Sequence, residues 1–258
     1  MSRLSRLVKS IPHRSRQLIQ SLMQYPWKER WLEIAPGRHR RYCPLCEQYS
    51  RRFGFFGDPP RKEAVCLKCR SLERHRLVWL YFHQKTNLFA PETKRLLHIA
   101  PEKQLSNRLK ADPSIDYLSV DLQMPHAMRH MDITQLELEA QTFDAVYCSH
   151  VLEHIPDDRR ALHEIYRVLS PGGWAILQVP MSSEPTYEDP AITSPDERKH
   201  HFGQHNHVRL YGPDYKDRLE EVGFQVNVDD FVTRLSSRTR RKLRLDPKEM
   251  IYFCQKPQ

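Results

Sequence analysis

Short apolar runs alternate with amphipathic segments between residues 96 and 179, and this alternation constrains the fold more than any other feature. The runs at 96–100, 117–120, 143–148 and 174–179 have the length of buried strands, and 157–169 has helical spacing. Alternation of this kind predicts a parallel sheet covered by helices on both faces, an α/β fold. Further helices are expected over 71–83 and 213–222, and further strands over 224–229 and 249–254.

The formal charge of +9 is concentrated at one end of the 258-residue chain. Residues 1–94 contain 20 Lys/Arg and 7 Asp/Glu, whereas residues 95–258 contain 21 and 25. The basic front is expected to contact RNA, an anionic surface or an acidic partner. No apolar run approaches eighteen residues, so we expect no transmembrane segment.

Two C-x2-C pairs, nineteen residues apart, have the spacing of a structural zinc site. Cys43, Cys46, Cys66 and Cys69 are the expected ligands, in a module over 41–70 whose folding energy the metal would supply. The alternative is a pair of disulfides in a secreted domain. Because we find no apolar signal peptide, we expect Zn2+ and a cytoplasmic protein.

Residues 1–40 form a basic leader, with apolar residues at near-helical spacing interrupted by Pro12. Three interpretations stay open for this segment. It could be a helix packed on the domain, a helix at a membrane surface, or an organellar transit peptide. The second would place the protein at the periphery of a membrane.

Polar residues follow several predicted strands, where sheets of this kind bind ligands. The residues considered for a cofactor site are Ala100, Glu102, Asp121, Asp132, Ser149 and His150. Asp121 lies about twenty residues beyond the first strand, where a carboxylate can accept hydrogen bonds from both ribose hydroxyls.

The segment 143–155, ending in S-H-V-L-E-H-I, and the L-S-P-G-G of 169–173 carry a family resemblance. Here the chain resembles the class I S-adenosylmethionine-dependent methyltransferases, type 11-like, over roughly 71–258. The resemblance implies a Rossmann-like seven-stranded sheet and S-adenosylmethionine as cofactor. It implies that Asp121 holds the ribose, that Asp132 lies by the adenine, and that Ser149 and His150 line the pocket floor. The cysteine module followed by S-L-E-R-H-R-L-x-W-L also looks like a recurrent, mostly bacterial arrangement.

The first loop departs from that family, because 98–103 (H-I-A-P-E-K) contains none of the usual glycines. S-adenosylmethionine has no phosphate, so a glycine cradle is less necessary than for a dinucleotide. We expect Glu102 to bind the ammonium group of the cofactor and free helix N–H groups to bind its carboxylate.

A competing motif, H-x-x-E-H, lies at 150–154 and matches an inverted zinc-protease signature. That chemistry needs both histidines on one face of a long helix. Here the motif directly follows a strand and Pro156 comes two residues later, so we reject the protease.

Residues 181–212 lack strand or helix periodicity and contain four histidines within 200–207. A loop this long in a compact domain is usually functional. It resembles the H-F-G-Q-x-D-H-x-R-x-Y stretch of the proteins above, with Asn206 in place of Asp. A histidine suits the base of a methyl transfer, so we predict His207, then His201, as the base, with Arg209 binding an acidic group. A solvated loop or an adventitious metal site is the alternative.

Three functions are therefore considered. The first is an S-adenosylmethionine-dependent methyltransferase acting on O or N of a small polar or carbohydrate-type acceptor. The second is an RNA methyltransferase whose zinc module binds RNA. The third is a non-catalytic scaffold with a methyltransferase fold.

Overall fold

The computed structural model describes residues 41–258, so the predicted helical leader of 1–40 lies outside the described residues. The strands are β1 Arg41–Cys43, β2 Gln48–Ser50, β3 Gly54–Phe56, β4 Arg61–Val65, β5 Lys94–Ile99, β6 Ile115–Asp121, β7 Arg129–His130, β8 Phe143–Ser149, β9 Leu169–Gln178, β10 Tyr187–Glu188, β11 Arg209–Leu210, β12 Gln225–Asp229 and β13 Ile251–Gln255. The helices are α1 Glu73–Lys85, α2 Lys103–Lys110, α3 Asp158–Val168, α4 Pro195–Phe202, α5 Tyr215–Glu221, α6 Phe231–Arg234 and α7 Ser237–Leu243, with a short 3-10 helix at Leu152–His154.

Seven strands form one central sheet in the order β12-β13-β9-β8-β5-β6-β7. β5 pairs in parallel with both β6 and β8, and β8 pairs in parallel with β9. β13 is antiparallel to both of its neighbours. The expected Rossmann-like, seven-stranded α/β fold is confirmed.

Helices cover both faces of the sheet, as the apolar runs predict. Neighbouring residues of a strand contribute to opposite cores: Leu96 packs in the cluster that includes α1 and α2, and Leu97 in the one that includes α3 and α5. Cys148 and Cys254, predicted to be core residues, are buried. Within residues 41–258, no helix has both the length and the apolar character needed to cross a bilayer.

The cysteine module consists of two small antiparallel ribbons, β1–β2 and β3–β4. A buried guanidinium joins it to the rest of the chain. Arg76 of α1 donates to the carbonyls of Ala64 in the module (3.1 Å), Ser71 in the connection (2.8 Å) and Leu243 at the end of α7 (2.7 Å). Its guanidinium also lies 4.3 Å from the ring centroid of Phe53. The module therefore packs on the same core as α1.

The prediction that 181–212 lacks regular structure is wrong over part of its length. Pro195–Phe202 is a helix, and β10 pairs with β11. Ser194 accepts from the N–H of Glu197, whose carboxylate reaches back to Ser194. This is a capping box with proline at the first helical position, a start signal present in the sequence as S-P-D-E. The weak amphipathic pattern of the helix concealed it.

Buried charges fix this segment against the domain. Arg209 and Arg218 both contact Asp158, at 3.7 and 2.9 Å, and Glu188, at 2.8 and 2.6 Å. Tyr211 donates to the same Asp158 oxygen at 2.6 Å. Because two cations face two carboxylates and a hydroxyl, the charges compensate one another although most of the cluster is buried.

Two glycines of the segment should differ sharply when replaced by alanine. A Cβ on Gly212 would lie 2.0 Å from the carbonyl oxygen of Glu184, whereas one on Gly203 would meet no atom within 4 Å. Gly203→Ala should lower the free energy of unfolding by about 1 kcal/mol, the cost of its left-handed backbone. Gly212→Ala should cost about 3 kcal/mol through overpacking. Urea unfolding measures both, and equal losses would contradict the placement of 182–188.

Candidate functional site

A cavity of about 320 Å3 opens where β5, β6 and β8 end. Its wall is mostly apolar, with carboxylates and imidazoles at a few points. The lining residues are Ile99, Ala100, Val120, Asp121, Leu122, Met124, Met131, Asp132, Ile133, His150, Val151, His154 and Ile155. Four of the six expected cofactor residues, Ala100, Asp121, Asp132 and His150, thus meet in one cavity.

Two of these residues have left-handed backbone where the strands end. Ala100 follows β5 with φ of 50°, and His150 follows β8 with φ of 56°. Their N–H groups donate to the carbonyls of Val120 and Gln178, both at 2.8 Å. A conformation that glycine adopts freely is therefore imposed on alanine and histidine, and strain of this kind concentrates at functional sites. The glycine-free first loop still makes the sharp turn.

The two carboxylates of the cavity are held by their own turns. Oδ1 of Asp121 accepts from the N–H groups of Gln123 and Met124, at 2.8 and 2.6 Å. Both bonds end on one oxygen, so Oδ2 is left for a ligand. Asp132 accepts from the N–H and hydroxyl of Thr134, and these two bonds lower the pKa of its carboxyl. The lowered pKa favours the anion of Asp132, which can accept further hydrogen bonds.

The other two expected cofactor residues, Glu102 and Ser149, are outside the cavity wall. Glu102 turns inward, 2.9 Å from Nε2 of His98 and 3.5 Å from Nε2 of His75. Burial alone would raise the pKa of its carboxyl, but the hydrogen bond to His98 and the charges of both histidines lower it to about 2. Ser149 is buried at the end of β8.

The three predicted catalytic residues do not lie together. His207 is buried against His154, with ring centroids 4.7 Å apart, and burial lowers its pKa. His201 is exposed on α4, with Nδ1 3.3 Å from the hydroxyl of Tyr187. The guanidinium of Arg209 is engaged by Glu188, Asp158 and three backbone carbonyls, so the acidic groups it holds belong to the chain itself.

His154 borders the cavity, although the sequence analysis assigned it no role in the cofactor site. The 3-10 helix Leu152–His154 is too short to present two histidines on one face of a long helix, which agrees with the rejection of the protease. Met124 and Met131 also line the wall. Isolated methionines after a strand give no sequence signal that distinguishes a pocket wall from a core.

The four cysteines of the module converge. Cys43 and Cys69 have Sγ atoms 3.5 Å apart, Cys46 and Cys66 3.8 Å apart, and all four lie within 4.8 Å of one another. These distances are too long for disulfides. A tetrahedron with metal–sulfur arms of about 2.3 Å has edges of about 3.8 Å. The donor set and its spacing therefore fit a zinc ion.

The central part of the chain is similar to known proteins. Residues 93–177 match a methyltransferase domain. The matched segment runs from the start of β5 through β9, so it contains the cavity described above.

Individual relatives agree over limited stretches. Methyltransferase str2 of Strobilurus tenacellus is 32% identical over 77 residues, 26% of this chain, and the chain spans only 28% of that protein. A S-adenosylmethionine-dependent methyltransferase from Mesorhizobium loti is similar in structure at 17% identity, covering 64% of this chain and 92% of the other with a TM-score of 0.43. Phosphoethanolamine N-methyltransferase 2 of Haemonchus contortus has 16% identity, 70% and 53% coverage, and a TM-score of 0.46.

The buried His75 makes stability depend on pH. Burial lowers its pKa from 6.5 to about 4, so below pH 6.5 the unfolded chain binds the proton more readily than the folded one. The contribution of His75 to the free energy of unfolding is fully present above pH 6.5. It decreases by about 3 kcal/mol as the pH falls toward 4.

His75→Asn should remove that part of the pH dependence, as measured by urea unfolding at pH 7.5 and pH 4.5. The matched control is His163→Asn, at an exposed histidine of α3. If His75→Asn and the control show the same loss of stability with falling pH, the burial of the imidazole is not its cause.

Proposed function

We propose that the protein is an S-adenosylmethionine-dependent methyltransferase that transfers a methyl group to O or N of a small polar or carbohydrate-type acceptor. One observation carries the proposal. The cavity at the carboxyl ends of β5, β6 and β8 lies within the segment that matches a methyltransferase domain. Sheets of this order bind nucleotide-like ligands at this edge. An acceptor on RNA is a weaker candidate, because Arg41 and Arg61 of the basic module pair with Glu63 and Glu73.

The residues of the cavity fit the cofactor. Asp121 would hold the ribose hydroxyls through its remaining oxygen, and Asp132, at the rim, would face the adenine amino group. Apolar side chains such as Met124, Ile133 and Ile155 would cover the base. Glu102, Ser149 and His150 complete the proposed set, and of these only His150 lines the cavity. When bound, the cofactor supplies an electrophilic methyl group on a sulfonium.

The acceptor side of the site is proposed to lie toward His207. Much of the rate of such a displacement comes from holding two groups in line, which a walled cavity favours. The lowered pKa of His207 leaves it neutral near pH 7, so Nε2 can take the proton that the acceptor releases. His201 is exposed and would act only if the acceptor reached α4. Arg209 is a positioning residue, since its donors hold the backbone beside His207.

The four-cysteine module is proposed to hold a structural zinc ion. A tetrathiolate site carries a net charge of −2, and the buried Arg76 lies close enough for the thiolates of Cys43, Cys66 and Cys69 to stabilise its cation. Ser71 adds hydrogen bonds to the sulfurs of Cys43 and Cys69, at 3.1 and 3.2 Å. Such outer contacts orient the ligands of metal sites.

Cofactor binding is tested by titration calorimetry with S-adenosylmethionine and S-adenosylhomocysteine. Asp121→Ala should weaken binding roughly 10- to 100-fold, because it removes hydrogen bonds to a charged acceptor. Asp116→Ala, at the other end of β6 and exposed, is the matched control and should bind as the unaltered protein does. The absence of binding heat at millimolar ligand would contradict the proposed methyltransferase activity and favour a non-catalytic scaffold.

Zinc is tested by metal analysis of the purified protein. Cys66→Ala should lower the zinc content by one ion per chain and lower the melting temperature, because the small module depends on its metal to fold. Cys148→Ala, in the central sheet, should keep the ion. A zinc content that is the same in both variants would show that the cluster binds no zinc.

A further inference from the structure

A buried carboxylate without a hydrogen-bond partner lies beside the cavity. Glu153 is 1% exposed, and neither of its oxygens accepts a hydrogen bond within residues 41–258. The imidazole Nδ1 of His150 approaches Oε1 to 3.4 Å. Burying an isolated carboxylate costs several kcal/mol unless a cation or proton compensates it. Neither the fold nor the proposed cofactor site accounts for this group.

Two imidazoles complete a set of potential metal ligands around that carboxylate. The ligand atoms of Glu153, His154 and His207 all lie within 4.8 Å of one another. Two of the three residues come from the 3-10 helix after β8, and the third from the segment before β11. Glu153 and His154 therefore meet His207 through the fold, because more than fifty residues separate them in the sequence.

The hydrogen bonds of the two rings leave one nitrogen of each as a ligand. Nδ1 of His154 lies 3.2 Å from the carbonyl oxygen of Asn206, and Nδ1 of His207 lies 3.1 Å from that of Phe202. A carbonyl oxygen only accepts, so both Nδ1 atoms donate there and each ring is left with Nε2 as its possible ligand atom. Backbone carbonyls orient the histidine ligands of metal sites in this way.

The backbone that supports the set is held on both sides. The N–H of Val208 donates to the carbonyl of Glu153 at 2.9 Å. Arg209 donates to the carbonyls of Leu152 and Ile155, at 2.9 and 2.5 Å. These hydrogen bonds hold the segment with His207 against the segment with Glu153, so the backbone fixes the relative positions of the three ligands.

We propose that Glu153, His154 and His207 bind a divalent first-row transition-metal ion at the edge of the cofactor cavity. One carboxylate and two imidazoles suit Zn2+, Fe2+ or Mn2+, and three protein ligands leave coordination positions open. The site is separate from the four cysteines, whose soft thiolates favour Zn2+ over Mn2+.

A bound ion would also restrict the chemical class of the methyl acceptor, an inference that rests on the proposed function. His154, one of the three ligands, lines the cofactor cavity, so the ion would lie at the wall of that cavity, where an open coordination position can face the reacting groups. An acceptor hydroxyl bound there loses its proton to water more readily. Its oxygen then forms the new O–CH3 bond while the S–CH3 bond breaks and the sulfur keeps the electron pair as a thioether. The acceptor is thus an oxygen nucleophile, and binding of the ion replaces the base role of His207.

Mn2+ binding tests the site without an acceptor. Protein that carries one zinc ion per chain, the number the four cysteines hold, is titrated with Mn2+, and the free ion is followed by electron paramagnetic resonance. We expect one Mn2+ per chain, displaced by added Zn2+. If the unaltered protein binds no Mn2+, the proposal is overturned.

Variants locate the ion. Glu153→Gln and His154→Ala should each weaken Mn2+ binding by roughly 100-fold or more, since even outer-shell changes cost 10- to 100-fold. His205→Ala, an exposed histidine two residues from His207, is the matched control and should bind Mn2+ within about two-fold of the unaltered protein. His154→Ala serves if Glu153→Gln does not fold. Unchanged affinity in both ligand variants would overturn the assignment.

A second measurement separates this inference from the proposed function. Bound Mn2+ should broaden the S-methyl proton resonance of S-adenosylmethionine, and Glu153→Gln should abolish the broadening while calorimetry still detects the cofactor. Mn2+ binding without any cofactor binding would leave the metal site standing and overturn both the methyltransferase and the acceptor role of the ion. Cofactor binding with no broadening would overturn the placement of the ion beside the cavity.

Discussion

The parallel pairing of β5 with two neighbours at once is the constraint on which the site depends. The chain passes from β5 to β6 on one side of the sheet and returns to β8 on the other, so three strands end together at a switch point. Each connection must turn there, and two of the turns use left-handed residues, Ala100 and His150. The cavity and the strained backbone therefore lie at the same edge of the sheet, and Asp121 and Asp132 line the cavity there.

One short segment after β8 serves both halves of the proposed chemistry. His150 and His154 line the cavity, while Glu153 is buried outside its wall, with a ligand atom within 4.8 Å of those of His154 and His207. The 3-10 helix makes this division possible, because its tighter turn sends successive side chains in different directions. The buried pairs of Arg209 and Arg218 with Asp158 and Glu188 then hold the segment with His207 in register with it.

The sequence predicted a parallel sheet, the cysteine cluster and four residues of the cavity, because each follows from a local pattern: an apolar run, a C-x2-C pair, or a position at or near the end of a strand. The seven strands and the Rossmann-like arrangement were expected from the family resemblance. The sequence did not predict the helix Pro195–Phe202, whose apolar periodicity is weak, although its capping box was legible. It also did not predict the meeting of Glu153 and His207. Their convergence depends on how a loop folds back across the sheet edge, and no local pattern encodes that. The same lack explains why Arg209, a polar residue in a loop, was expected to face a ligand and instead holds the chain.

The guanidinium of Arg76 has a consequence for the order in which the protein is made. Two of its acceptors, Ala64 and Ser71, precede it in the chain, but the carbonyls of Leu243 and Arg244 come 167 and 168 residues later. On a ribosome the cysteine module and α1 emerge long before those carbonyls exist. The module can bring its four sulfurs together early, yet its packing on the core is complete only after Leu243 has been synthesised, and contacts of such long range slow folding.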